Sequence, residues 1–419
     1  MLKYRLLKIL PFVMIIVAII SVQPYTTLKL GNTTIWWLVE TGILLMLWYG
    51  KSVFFDRSQS KSMFFIQLYL FWNVFSFFHG IYMAEIYWDV KALLNNTFAL
   101  LLPLFAYLGT NIKINQILLS KYLKIGIPIF FLYLPFISPS AYGDYLAPFS
   151  LLALFIPGIT MRDRGIIAVF AFLVSLSLGA RSEIIKLFLA IILSFIYYFR
   201  QINLKFIFAF FRLILLFAPV ILLALALSGI FNPFAMNEYI KGDYETISKN
   251  KEGKEVKENL TADTRTAIYL EVLLSAKKHN SWWIGRSPAR GNDTEIFGNV
   301  MEKITGRRER NSNEVSILNI FTWTGIIGVF IYFLVFFRAT YLAIHKSSNI
   351  FSKILGLYIA FRWAYAWVEE FNVFNLNYLT LWMMIGLCMS QSFRAMNNED
   401  VKIWIRGVFD RRYRFLVEK

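Results

Sequence analysis

Long apolar segments alternate with short polar ones along almost the whole chain. A helix needs about 20 residues to cross a bilayer, and helices satisfy their own backbone groups in lipid. We therefore predict twelve membrane helices, with these bounds: 8–24, 33–50, 63–82, 93–110, 122–140, 144–161, 165–180, 183–199, 213–230, 315–337, 352–369 and 374–392. The first segment lacks a small-residue cleavage site, so we expect it to remain as a membrane helix.

One long polar interval interrupts this pattern, from Phe231 to Glu314. It holds 14 Lys/Arg and 12 Asp/Glu residues up to Asn313. The sequence thus predicts an all-α polytopic membrane protein with helices 1–9 in residues 1–230, a large loop with amphipathic helices in 231–314, helices 10–12 in 315–392 and a basic tail in 393–419. The front of the loop, Asn232 to Asn259, is expected to be variable and mobile.

Composition excludes several classes of protein. The chain has 419 residues, of which 58% are hydrophobic and 16% are charged, against about 25% charged in typical globular proteins. The net charge of +17 lies in short tracts between apolar segments, whereas a nucleic-acid-binding domain gathers its charge on one face. One cysteine and three scattered histidines exclude a disulfide framework and a zinc site. We expect no nucleic acid, metal or cofactor.

Lysine and arginine are distributed unevenly between the two sides of the predicted membrane. With a cytoplasmic N-terminus, the cytoplasmic segments before the tail carry 17 Lys/Arg residues and the short outer loops carry Lys29, Lys91 and Arg181. The positive-inside rule therefore predicts cytoplasmic N- and C-termini and an outer position for the large loop. The basic tail is expected to lie against anionic lipid.

The first candidate site is the short helical hairpin around Arg181. An arginine fixed at the outer mouth of a hairpin could clamp a phosphate or diphosphate, because guanidinium offers a rigid fork of donors. Lys186, about one turn deeper, could support it. The structural alternative is a snorkelling arginine that pairs with Glu183 or with a lipid phosphate.

The second and third candidates lie at the two ends of the rear part of the loop. Arg265 is predicted in the first turn of an amphipathic helix capped by Thr261 or Asp263, where free N–H groups favour an anion. The alternative is a salt bridge with Asp263 or Glu271. Glu314 opens the tenth helix, either as an ordinary helix-start carboxylate or as a general base directed at a hydroxyl.

Further candidates for binding substrate lie in the loop and in the last helices. Arg362 interrupts an apolar segment and needs a partner or a wet cavity; a structural ion pair with Glu369, two turns along the helix, is the favoured interpretation. The remaining candidates are two loop arginines and an aromatic, acidic patch that could stack on sugars: Arg286, Arg290, Trp88 and Asp89.

Taken together, these residues resemble the bacterial O-antigen polymerase and O-antigen ligase superfamily, multi-pass inner-membrane glycosyltransferases of the GT-C type. The resemblance spans nearly the whole chain and rests on three motifs. Their residues here are Arg181 with Ile185, Arg265 with Trp283-Ile284-Gly285, and Glu314 with Leu318, Gly325 and Gly328. Ligases usually carry histidine where this chain has Glu314, a difference that favours a polymerase.

The resemblance implies metal-independent, inverting polymerisation of polyprenyl-diphosphate-linked oligosaccharides at the periplasmic face of the bacterial inner membrane. Arg181 and Arg265 would be catalytic and clamp the diphosphate, and Glu314 would be catalytic at the acceptor hydroxyl. The expected partners are the lipid-linked oligosaccharide, as donor and as acceptor, and membrane lipid; a chain-length regulator protein is a further candidate. An O-antigen ligase and, less favoured, a polysaccharide exporter or flippase remain alternatives.

Overall fold

The computed structural model describes residues 2–176, 181–202, 204–232, 245–249, 255–259 and 265–416. Helix dominates these residues, and we number the α-helices in chain order. They are α1 (Leu2–Ile9), α2 (Phe12–Val22), α3 (Thr33–Phe54), α4 (Phe64–Met83), α5 (Tyr87–Leu101), α6 (Phe105–Gly109), α7 (Ile112–Lys121), α8 (Ile127–Tyr133), α9 (Tyr142–Tyr145), α10 (Pro148–Ala153), α11 (Met161–Ser175), α12 (Arg181–Ser194), α13 (Lys205–Leu227), α14 (Thr266–Lys278), α15 (Gly298–Thr305), α16 (Ser316–His345), α17 (Ile350–Tyr365), α18 (Leu376–Met389), α19 (Gln391–Ala395) and α20 (Asn398–Phe409).

Four short strands lie within the segment predicted as the large loop. Strands β1 (Glu245–Lys249) and β2 (Glu255–Asn259) form one antiparallel pair. Strands β3 (Asn292–Asp293) and β4 (Glu309–Arg310) form a second antiparallel pair. The sequence pattern predicts helices for this loop and no strands, so both strand pairs are additional to that prediction.

Seven helical segments of the described chain are long and apolar enough to cross a bilayer, which makes this an all-α protein of membrane type. They are Leu6–Tyr25, Phe64–Met83, Tyr87–Gly109, Ile112–Phe136, Arg181–Phe199, Lys205–Leu227 and Ser316–His345. The other five predicted spans fall on helices that are shorter, broken or interrupted by charge, such as the 14-residue helix α18 and α3, which carries Glu40 and Lys51. The predicted number of twelve spans is therefore not confirmed.

The helices run between two ends of one bundle. At the end that we call the loop end, residues 265–315 pack on the bundle, and Ser316 Oγ donates to the carbonyl of Glu369 (2.8 Å). At the opposite end, called the tail end, Asn349 Nδ2 donates to the carbonyl of Phe393 (3.0 Å). Helices α16, α17 and α18 cross between these ends in alternating directions and enclose buried aromatic rings, among them Trp323, Trp363 and Trp382.

Helix α16 is interrupted at Gly325, where φ is +68° and ψ is −173°. The backbone of the loop segment Trp282–Arg286 fills the break. The N–H of Ile326 donates to the carbonyl of Trp282 (2.8 Å). The N–H of Arg286 donates to the carbonyl of Thr322 (2.7 Å). In apolar surroundings an unpaired backbone group costs several kcal/mol. The loop segment and the broken helix therefore stabilise each other.

We expect Gly325→Ala to prevent stable folding. An alanine Cβ would overlap the carbonyl of Trp283, and the extended backbone with positive φ at this position is essentially restricted to glycine and by itself costs another residue about 1–3 kcal/mol. Gly42→Ala on α3 is the matched control, because a Cβ there meets open space. The measurement is the yield of monodisperse protein and its midpoint of thermal unfolding in detergent. A Gly325→Ala protein that unfolds at the midpoint of the Gly42→Ala protein would contradict this account.

The basic tail forms a packed helix at the tail end. In α20, Trp404 is 2% exposed and its Nε1 donates to the carbonyl of Ile112 (2.9 Å). Arg406 Nε donates to the carbonyl of Gly158 (3.1 Å). These contacts hold residues 398–409 on the bundle itself, while Arg412 further along remains exposed. Binding of anionic lipid by the tail stays a prediction.

Candidate functional site

A buried lysine lies between two carboxylates at the loop end. Lys186 Nζ is 2.5 Å from Glu183 Oε1 and 3.0 Å from Glu369 Oε1. Asn377 Nδ2 donates to the same oxygen of Glu183 at 2.7 Å. Lys186 is 1% exposed, and a charge buried this deeply is stable only when it is paired. Lys186 therefore ties the start of α12 to the connection between α17 and α18.

The predicted ion pair between Arg362 and Glu369 is wrong. Arg362 is buried and its Nη1 donates to Oδ1 of Asn377 at 3.1 Å, whereas Glu369 pairs with Lys186. The sequence argument assumed one continuous helix, but α17 ends at Tyr365 and no longer holds Glu369 on the face of Arg362. Among the described residues, Nε and Nη2 of Arg362 have no hydrogen-bond partner.

Arg265 and Glu314 form an ion pair, although 49 positions separate them. Arg310 Nη2 contacts the other oxygen of Glu314 at 3.3 Å, so one carboxylate holds two guanidiniums side by side. Arg265 is the residue immediately before α14, whereas the sequence pattern predicts it within the first turn of the helix. The expected caps, Thr261 and Asp263, lie outside the described residues. The alternative partner Glu271 instead accepts hydrogen bonds from residues 294–296.

The electrostatic surroundings of Glu314 make it a weak base. Partial burial would raise the pKa of Glu314, but the hydrogen bonds and positive charges of Arg265 and Arg310 outweigh it and lower this pKa below its usual value. General bases work best with a pKa near the operating pH. The geometry therefore favours Glu314 as a residue that orients the two arginines, and its predicted role as a base stays a prediction.

Arg181 is the first residue of α12 and is exposed at the loop end. Its neighbours Glu183 and Lys186 on the same helix point into the buried cluster. Residues 177–180, which complete the predicted hairpin, lie outside the described residues. The helix thus places an exposed guanidinium about one turn from a buried ammonium, as the sequence predicts, but Lys186 is engaged by two carboxylates.

Arg286 and Arg290 hold the loop together. Arg286 Nη2 lies 3.1 Å from Oε1 of Glu309, and its Nη1 lies 3.1 Å from Oδ1 of Asp293. Arg290 donates two hydrogen bonds to Glu309, from Nε to Oε2 at 3.0 Å and from Nη2 to Oε1 at 2.5 Å. Paired arginines of this kind position a loop, and a substrate anion would have to displace Glu309 to reach them. Their predicted role in binding substrate remains a prediction.

Glu309→Gln is expected to loosen the loop by about 3 kcal/mol, since it removes the close carboxylate of the largely buried Arg290 and leaves Arg286 with Asp293 alone. Burial raises the pKa of Glu309, but hydrogen bonds and charges from Arg290 and Arg286 outweigh it and lower the pKa. The stabilisation is therefore present above the unfolded pKa of about 4.3 and is lost as pH falls through the lower folded pKa.

The measurement is the rate of proteolytic cleavage in the loop. Glu309→Gln protein should be cut faster than the parent at pH 7, and the difference should shrink in acid. Glu295→Gln is the matched control, since the Glu295 side chain is 89% exposed and its carboxylate pairs with the half-exposed Arg308. Equal cleavage rates for the two variants would contradict the role of Glu309.

Part of the predicted sugar-stacking patch, Asp89, has a structural role in the fold. Asp89 Oδ2 accepts the backbone N–H groups of Glu85 and Ile86 and lies 3.1 Å from Nη1 of Arg307. Asp89 is 4% exposed. It thus fastens the start of α5 to the loop. Trp88 lies under the ammonium of Lys91, 4.9 Å from the ring centre.

A cavity of about 420 Å³ opens at the loop end between the α2–α3 turn, α3, α5, α9 and the connection between α17 and α18. Its walls combine three carboxyl groups with four aromatic rings, from Glu40, Asp144, Glu370, Tyr25, Trp36, Trp37 and Phe374. Pockets that bind small polar molecules typically combine aromatic walls with a few placed polar groups. The cavity is therefore a second part of the candidate site.

The carboxylates of this cavity differ in their partners. Glu370 Oε1 accepts a hydrogen bond from Asn319 Nδ2 (3.1 Å), and burial raises the pKa of Glu370 to about 7. Glu40 is 8% exposed, and within the described ranges no hydrogen bond or ion pair reaches it. The sequence analysis did not name Glu40. The available signal was a carboxylate inside an apolar segment, which by itself points to a functional site.

An apolar groove of about 580 Å³ runs between α12, α13 and α17. It extends from Ile185, one turn from Arg181, to Phe199 just beyond α12. Phe211 of α13 and Phe361 of α17 face it, and every residue that lines it is apolar. The groove therefore begins beneath the charged loop end and continues along the membrane-crossing part of the helices.

Comparisons with known proteins add no family. No protein-family model, no curated protein and no solved structure matches this chain. The described residues hold no group of three or more His, Cys, Asp or Glu side chains that could bind a metal ion. The chemistry of the site therefore has to be argued from its own residues.

Proposed function

We propose that this chain is a membrane glycosyltransferase that polymerises oligosaccharide repeat units carried on polyprenyl diphosphate. The proposal takes the loop end as the periplasmic face of a bacterial inner membrane, with both termini cytoplasmic, on the strength of the lysine and arginine bias between the loops. It also takes the twelve apolar segments as twelve membrane passes.

One observation carries the proposal: the apolar groove begins beneath Arg181. A substrate with a long hydrocarbon chain and a strongly anionic head fits this combination, since the chain can lie along Ile185 and Phe361 while the head remains with the arginines. A lipid tail already lies in hydrocarbon, so the groove would position the chain by van der Waals packing and not by a hydrophobic driving force. Guanidinium matches the oxygens of a diphosphate better than a single ammonium does.

The cations of the loop end supply the electrostatic part of catalysis. Arg265 and Arg310 lie together on Glu314, and Arg181 is the first residue of α12 at the same end of the bundle. In the proposed reaction, the hydroxyl oxygen of the acceptor forms a bond to the anomeric carbon, and the bond from that carbon to the diphosphate breaks. The electron pair leaves with the diphosphate, and preorganised cations stabilise the charge that develops there.

A deletion in the native host tests this function. The surface polysaccharide is separated by electrophoresis, and the proposal predicts collapse of the ladder to single repeat units together with accumulation of lipid-linked units. Complete loss of capped product would indicate the ligase alternative. An unchanged ladder would contradict both. Arg308→Ala expressed from a plasmid should restore the parental ladder, since Arg308 is 43% exposed and forms its ion pairs with the exposed loop carboxylates of Glu295 and Glu302.

A further inference from the structure

We propose that the cavity lined by Glu40, Asp144 and Glu370 binds the end of the acceptor saccharide, and that it selects a sugar without an acidic group. The description of the bound sugar as an acceptor rests on the proposed function. The binding of sugar in the cavity does not. It assigns to this cavity hydroxyl-rich sugars, either uncharged or bearing an amine.

Charge determines which sugars the cavity admits. Three carboxyl groups line it, and among the described residues Lys91 supplies the one lining ammonium. Burial raises the pKa of Glu370 to about 7, so the cavity disfavours negative charge. The anionic group of a uronic acid or of a phosphorylated sugar would lose its water in this partly enclosed space without enough cations to replace it. Sugar hydroxyls and ammonium groups are instead donors, and carboxylate oxygens are acceptors.

The lack of a partner for Glu40 within the described part of the chain is a second indication, separate from the charge of the cavity, that the cavity binds a ligand. The residue as a whole is 8% exposed, and it lines the cavity. In the part of the chain that the structure describes, neither Glu40 nor Asp144 receives a hydrogen bond. Buried polar groups are normally satisfied, and leaving one unsatisfied costs about 1–3 kcal/mol. A sugar hydroxyl in the cavity would satisfy Glu40.

The aromatic rings of the cavity provide surfaces for stacking. Trp37 Nε1 donates to Asn95 Oδ1 at 2.7 Å, which fixes the orientation of this ring before a ligand arrives. Trp36 lies next to it at the start of α3, and Tyr25 faces the same space. A pyranose ring presents C–H groups on its faces and hydroxyls around its edge, so it can contact the rings and the carboxylates together. Preorganised walls of this kind reduce the entropy lost on binding.

The cavity adjoins the cations that would hold the donor. Glu370 lines the cavity, and its neighbour Glu369 pairs with Lys186. Asn319, which donates to Glu370, also donates to the carbonyl of Asn313, the residue before Glu314. A hydroxyl on Glu370 would thus lie beside the arginine pair. With a pKa near 7, Glu370 is the better-placed carboxylate to take the hydroxyl proton as the new glycosidic bond forms.

Binding of sugars to the purified full-length protein in nanodiscs tests the proposal. The probes are chitotriose, glucuronic acid and the free oligosaccharide released by mild acid from lipid-linked units of the deletion strain. Saturation-transfer NMR should show chitotriose and the released oligosaccharide in contact with aromatic protons, and no such contact for glucuronic acid. Trp36→Ala and Glu40→Gln should each weaken binding about tenfold, the effect of about 1.4 kcal/mol.

One matched control accompanies these variants. Trp48→Ala removes a 62% exposed tryptophan further along α3 and should leave sugar binding unchanged. The proposal would be overturned if neither neutral probe binds, if Trp36→Ala and Glu40→Gln bind like Trp48→Ala, or if the released oligosaccharide has an acidic non-reducing end. Failure of the proposed function looks different: deletion leaves the ladder unchanged while chitotriose still binds.

Discussion

Arg265→Ala is expected to reduce polymer formation by roughly 100-fold or more, so that the ladder shortens to single repeat units. Arg265 lies beside Arg310 on Glu314, at the start of α14, and its guanidinium would contact the leaving diphosphate. Removal of one preorganised donor that stabilises developing charge typically costs about 2.7–4 kcal/mol of transition-state stabilisation. The measurement is the electrophoretic ladder from a deletion strain that carries the variant gene.

Arg308→Ala is the matched control for this variant, because it removes a guanidinium from the same loop. Arg308 is 43% exposed and its partners Glu295 and Glu302 are more than half exposed, so its loss should leave the ladder unchanged. The pair of Arg265 with Glu314 is partly exposed as well, and exposed pairs contribute little to stability. Arg265→Ala protein that folds normally and makes a full ladder would contradict the role of this arginine.

Lys186→Met is expected to reduce the free energy of unfolding by about 3–5 kcal/mol, because it leaves two buried carboxylates without their cation. Glu183 and Glu369 both contact Lys186 Nζ, and the three residues join α12 to the connection between α17 and α18. The same change should also move Glu369 and, with it, the neighbouring Glu370. The first measurement is the midpoint of thermal unfolding of the purified protein. The second is the electrophoretic ladder of surface polysaccharide from a deletion strain that carries the variant gene.

A second variant separates charge from packing at this position. Lys186→Met combined with Glu183→Gln and Glu369→Gln removes the uncompensated charges and should recover much of the lost stability. Lys278→Met is the surface control, since Lys278 is 70% exposed and pairs with Asp293 in the loop. A Lys186→Met protein as stable as the Lys278→Met protein would show that the buried pairing does not stabilise the fold.

The helical, membrane-type architecture follows from the sequence because hydropathy and segment length are local properties. The seven segments of the described chain that are long and apolar enough to cross a bilayer can each be recognised from about 20 residues of sequence. The break in α16 cannot, because Gly325 adopts its backbone conformation only where the loop segment Trp282–Arg286 completes the hydrogen bonding. Two segments some 40 positions apart determine it together.

The candidate site follows from the sequence only in part. Arg265 and Glu314 were expected at the two ends of one working segment, and the structure joins them directly. The partner of Arg362 was predicted wrongly, since helical periodicity was extended past Tyr365, where α17 ends. The cavity around Glu40 and Glu370 could not be predicted, because it assembles walls from elements that are distant in the chain.

Reconstitution tests the central claim most directly. The purified full-length chain is placed in liposomes with lipid-linked oligosaccharides extracted from the deletion strain, and the products are separated by size. We predict conversion of single units into longer lipid-linked chains by the parent protein and by the Arg308→Ala variant, with at most about 1% of that rate for Arg265→Ala. Units that remain single with the folded parent protein would contradict the proposed function.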